Sequence, residues 1–172
     1  AMNTAVTAGE YLFNCHGLGL RFRTSSPAFV EPALAFLRHF RTDVSQGAPV
    51  LTIQFDEVAS RTEVPVKMSA NSKVLFSGER PSLGDAVRPL WQCEIVQDGD
   101  RLIADFHEQG VLVIDGVRNL VEGYFIRPDA MHPDVRTSFL HFALAELLKR
   151  NGLFTVHATA LEYAGQGILI PG

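Results

Sequence analysis

At 172 residues with 47% hydrophobic side chains, the chain is long enough to bury one real core and falls within the range of a single domain. A formal charge of −4 without any run of Lys or Arg excludes the clustered basic surface that nucleic acid demands. Its two cysteines, Cys15 and Cys93, lie far apart and outside any CxxC pair, which points to reduced structural thiols rather than a disulfide framework or a zinc knuckle.

The longest strongly apolar run, from Phe139 to Leu148, is broken by His141 and Glu146 and falls short of the ~20 residues a bilayer requires. The N-terminus has no charged region followed by an apolar one, so no secretory signal is read. A soluble, cytoplasmic protein without membrane contact is expected. Ala1 before Met2 reads as the remnant of a tag, and together with the abrupt end at Gly172 it suggests a piece cut from a longer protein.

In chain order, Tyr11 to His16 and Leu18 to Thr24 form two period-two runs around Gly17 and predict a half-buried hairpin. Ser26 and Pro27 offer an N-cap and a first helical position. Pro32 disfavours helical geometry at the residue before it and argues that the regular helix begins only there. Ala33, Phe36, Leu37 and Phe40 make one apolar stripe, and a helix is expected over 27–42.

Val50 to Glu57 alternates as a strand with one wet face. Shorter strands are expected over 64–68 and 73–77, with a brief helix over 81–87. From Gln92 the pattern is a meander, over 93–97, 101–107, 111–115 and 118–126. Asp98-Gly99, Gln109-Gly110 and Asp115-Gly116 supply its turns. After a linker over 127–133, Val135, Phe139, Phe142, Ala143 and Leu147 define a second amphipathic helix over 133–150, with Gly152 as its stop. The fold class expected is α+β: a mainly antiparallel sheet with two principal helices.

The six histidines, His16, His39, His107, His132, His141 and His157, do not share a spacing that aims several ligands at one atom. No metal is expected, and His141 reads as a core or edge histidine. Neither a nucleophile elbow nor a paired-carboxylate signature is present. Ahead of residue 153 the sequence discloses no reaction.

The tail carries more. Phe154 to Leu161 and Ile168 to Ile170 flank Gly165 and Gly167, and Pro171-Gly172 is where a strand would bend into a loop. Ile168, Leu169 and Ile170 suit a strand buried on both faces. From Leu153 onward this segment resembles the HPr kinase/phosphorylase family: a strand histidine at His157, the small residues Ala158 and Ala160, the Gly165 and Gly167 turn, an apolar strand, and Gly172 as the first glycine of a phosphate-binding loop.

The resemblance implies a P-loop kinase core of which residues 131–172 are the leading helix and first hairpin, behind an accessory domain over 1–130, the two packing apart or as one. It implies ATP and Mg²⁺ in the parent protein, a protein-serine or small-molecule phosphoacceptor, and His157 beside the transferred phosphoryl group. Read from the residues alone, His157 is equally a strand histidine held in the core. The loop lysine and the Mg²⁺-binding Ser/Thr are absent, so this chain itself is expected to be inactive, to need no cofactor, and to position substrate or assemble subunits. The hairpin is expected to pack on the second helix and to leave an apolar edge open to self-association. The alternative is a freestanding PAS-like small-molecule sensor or protein-interaction module.

Overall fold

The computed structural model describes residues 9–43, 51–80, 91–127, 131, 133–156 and 158–171. β1 (Gly9–Cys15) and β2 (Leu18–Thr24) form the first hairpin. It turns on His16 and Gly17, both at positive φ, with the Gly17 N–H donated to Asn14 Oδ1 at 2.7 Å. Then comes α1 (Pro27–Phe36), which starts at Pro27 and runs through Pro32 instead of beginning there. The carbonyl that Pro32 leaves without an N–H partner is that of Ala28, an exposed residue, where water can serve in its place. The helix stops at Phe36, short of residue 42, and a separate 3-10 turn (Arg38–Phe40) follows.

β3 (Leu51–Val58), β4 (Lys73–Arg80), β5 (Trp91–Asp98), β6 (Arg101–Asp105), β7 (Gly110–Asp115) and β8 (Leu120–Ile126) complete the main sheet, and α2 (Pro133–Arg150) follows. Residues 64–68 are not a strand, and the helix expected over 81–87 lies outside the described residues. The strands run in the order β1-β2-β3-β8-β7-β6-β5-β4. The meander from β4 to β8 is antiparallel throughout, as is the β1–β2 hairpin. However, β2 pairs with β3 and β3 with β8 in parallel, so the sheet is mixed. After β3 the chain leaves the middle of the sheet for its far edge and works back until β8 returns beside β3.

One face carries the core. Leu51, Ile53 and Phe55 of β3, Val121 and Phe125 of β8, and Leu112 and Ile114 of β7 point towards Val135, Phe139, Leu140, Ala143 and Leu147 of α2, all of them buried. Phe55, Phe125 and Phe139 meet as an aromatic cluster, with Phe55 and Phe125 edge to face at 4.8 Å. Gly123 leaves room for this. A Cβ there would stand 2.4 Å from the Phe55 ring and 3.0 Å from Leu112.

The other face is polar over β1, β2, β3 and β8. Over β5, β6 and β7 it carries a second apolar cluster of Val96, Ile103, Val111 and Val113. Val64 and Val66, in the extended segment between β3 and β4, pack on that cluster. Two buried aspartates tie the segment down: Asp105 accepts from Arg61, and Asp98 accepts from both the N–H and the hydroxyl of Ser69. The segment is a strap across the sheet. Its alternating Val-x-Val reads like a strand, yet its backbone joins none.

Candidate assembly surface

The two predicted site residues, His157 and Gly172, both lie outside the described residues. Among the described residues no group of three or more His, Cys, Asp and Glu is placed to hold a metal. The described histidines sit apart. His16 lies edge-on to Phe40 at 5.4 Å, His39 accepts from Arg38 Nε at 3.1 Å, and His141 is exposed against Phe36 at 5.2 Å. His107 takes a positive φ, with its backbone N–H held by Asp105.

Both thiols are buried and free. Burial, then the charges of Asp105 and Glu94, push Cys93 up to about 12, and burial likewise raises Cys15. Since the thiolate is the reactive species, neither is set up as a nucleophile. The polar sheet face is largely matched within itself. Glu10 pairs with Arg23 at 2.7 Å, which holds its carboxyl below the ordinary range, and Gln54 donates to Asp56 at 2.8 Å.

Among the described residues, large apolar side chains stand exposed on β4, at Val74, Leu75 and Phe76, and along the tail. α2 ends at Arg150, and the positive φ of Gly152 in the turn that follows lets the Leu153 N–H reach back to the Leu148 carbonyl at 3.0 Å; this closes the helix in a Schellman turn. Phe154, Thr155 and Val156 then carry the chain out to β9 (Ala158–Tyr163) and β10 (Gln166–Pro171), a separate two-stranded antiparallel sheet. Ala164 and Gly165, both at positive φ, form the tight turn between them.

Leu161 pairs with Ile168, Thr159 with Ile170 and Tyr163 with Gln166. Because side chains alternate along a strand, Leu161, Tyr163, Ile168 and Ile170 share one face, and Leu169 stands on the other with Ala158, Glu162 and Pro171. Leu161, Tyr163, Ile168 and Ile170 are 54%, 83%, 54% and 49% exposed.

The hairpin therefore does not pack on the second helix as expected: α2 packs against α1, β7 and β8 instead. Nor is the Ile168–Ile170 run buried on both faces.

With this geometry in hand, the comparisons with known proteins correct the family resemblance. No family model matches the chain, and no solved structure matches it. A curated protein, the 2-succinylbenzoate–CoA ligase of Bacillus mycoides (strain KBAB4), is 32% identical over 74 residues. The matched stretch covers 43% of this chain and 15% of the ligase. The similarity found is thus to part of a CoA ligase and not to HPr kinase, which overturns the resemblance to the HPr kinase/phosphorylase family. The physical reason is that a glycine turn between apolar strands is what any tight hairpin needs. A P-loop strand is a covered strand of a parallel sheet, whereas β10 is an exposed strand that, among the described residues, pairs only with β9.

Proposed function

We propose that this chain is a non-catalytic assembly domain that joins a second copy of itself through β10. The observation that carries the reading is the exposed apolar face of the β9–β10 hairpin. A lone two-stranded hairpin is marginal in water, and three or more strands with an apolar face are needed for stability. Exposed apolar surface of this kind marks interaction sites.

A second copy is the favoured occupant because β10 is suited to pair with itself. Its six residues, Gln166 to Pro171, bring no charge, so two antiparallel copies meet without repulsion, and a two-fold axis between them makes a closed interface. Of the two outer strands of the main sheet, β1 and β4, the second also exposes apolar side chains, at Val74, Leu75 and Phe76, but differs from β10. β4 carries Lys73 and Glu79 and has a register shift between Val74 and Phe76, devices that blunt a sheet edge. β10 has only its terminal proline.

Light scattering over a concentration series tests this. The wild-type chain is expected to pass from monomer to dimer. The double variant Ile168→Lys/Ile170→Lys, which puts charge on the apolar face, should weaken the dimer at least about tenfold. Leu169→Ala, on the sparser face, should shift it by no more than about threefold. A wild type that stays monomeric throughout, or a double variant that dimerises unchanged, would sink the proposal.

A further inference from the structure

The chain between α1 and β3 builds a second feature, remote from the hairpin. Leu37 is buried and seats the 3-10 turn, with the Phe40 N–H donated to the Leu37 carbonyl at 2.9 Å. Arg41 then extends alongside β1, bridging to Phe13, and the Thr42 N–H reaches the Leu12 carbonyl at 3.0 Å. These backbone bonds fix the directions in which Arg38 and Arg41 leave the chain. Both arginines line a groove of about 450 Å³ between β1 and α1, within the ~300–1,000 Å³ usual for small-molecule sites.

The groove has two kinds of wall. Tyr11, Phe13 and Leu34 give it an apolar floor, while Arg38, Arg41 and Glu31 give it charge. Arg41 is held over the Tyr11 ring, 5.6 Å from its centroid, a contact that orients the guanidinium while leaving its N–H donors unused. Among the described residues, neither arginine has a carboxylate within ion-pairing distance. Two arginines without a directly paired carboxylate, beside an aromatic and aliphatic floor, complement an anion with an apolar body; Arg38 keeps its terminal N–H groups for it, since only its Nε is donated to His39. Because Glu31 leaves the groove a net charge of +1, one negative charge is matched and a second is opposed.

We propose that this groove binds a monocarboxylate carrying an aromatic or alkyl body. The carboxylate lies against Arg38 and Arg41, whose planar forks match its geometry, and the body lies on Tyr11 and Leu34. Glu31 discriminates against dicarboxylates.

Titration calorimetry and ligand-observed NMR with 3-phenylpropionate, octanoate, 3-phenylpropan-1-ol and phenylsuccinate test it. The two monocarboxylates should bind saturably. The alcohol should bind at least about tenfold more weakly than 3-phenylpropionate, and Arg38→Gln/Arg41→Gln should cost the acid a similar factor. Phenylsuccinate should bind poorly to the wild type and gain affinity in Glu31→Gln. Equal affinity for acid and alcohol overturns the proposal, as does an unchanged double variant or the lack of saturable acid binding up to about 10 mM. The acid-against-alcohol comparison uses the wild-type chain, so it decides the matter even if a variant fails to fold.

Discussion

Gly123 shows how one absent side chain arranges the core around it. A Cβ at this position would stand 2.4 Å from the Phe55 ring, so the ring can lie across β8 only because residue 123 is glycine. Gly123→Ala must push Phe55 off its seat against Phe125 and Phe139. The expected loss is about 1–3 kcal/mol, the usual cost of overpacking, measured as a lower denaturation midpoint with unchanged slope. If Phe55 is what gives way, Gly123→Ala combined with Phe55→Leu should lose less than the sum of the two single variants.

At the scale of elements, the strap between β3 and β4 is held at its far end by ionised Asp98, which accepts from the Ser69 hydroxyl and N–H and from Arg101. The Ser69 hydroxyl, then Arg101, hold its carboxyl below the ordinary range. A carboxyl with a depressed folded-state value contributes stability that is present above the unfolded value, about 3.9, and is lost as pH falls through the lower folded value. Acidification below about pH 4 should therefore loosen the strap. Asp98→Asn should loosen it already at neutral pH, read as faster tryptic cleavage after Lys67. A cleavage rate unchanged by the substitution would mean that Val64 and Val66 hold the strap by packing alone.

The strap also marks where the sequence stops being legible. Alternation along Leu51, Ile53 and Phe55 and the Asp98-Gly99 turn made β3 and the start of the meander readable, since both are local signals. Val64 and Val66 alternate in the same way and read as a strand. Whether such a run finds hydrogen-bond partners depends on segments remote in sequence, and no local pattern encodes it. The parallel β3–β8 pairing escaped for that reason. The hairpin was legible as a hairpin, but its exposure was not, because Ile168, Leu169 and Ile170 have the composition of a covered strand. Neither the groove arginines nor their Tyr11 neighbour carried any motif; β1 and the 3-10 turn meet only in the fold.

Across the whole molecule, protection should follow the topology. β3, β7 and β8 lie inside the sheet beneath α2, so their amides should exchange with solvent most slowly. In dilute solution those of β9 and β10 should exchange orders of magnitude faster. Under the assembly proposal, β10 amides should slow as concentration rises while those of β3 do not change. Uniform exchange across hairpin and sheet would show that the two open as one cooperative unit.

The detour of the chain between β3 and β8 has a consequence during synthesis. One side of β3 is satisfied by β2 soon after it emerges, but its other partner is the last strand of the main sheet. At about 5–20 residues per second, several seconds separate Val58 from Ile126 on the ribosome. Throughout that interval the nascent chain presents Leu51, Ile53 and Phe55 beside an open row of backbone donors and acceptors. A holdase that recognises extended apolar segments would find its target there, and the time for which it is needed is set by translation rate rather than by the stability of the finished protein.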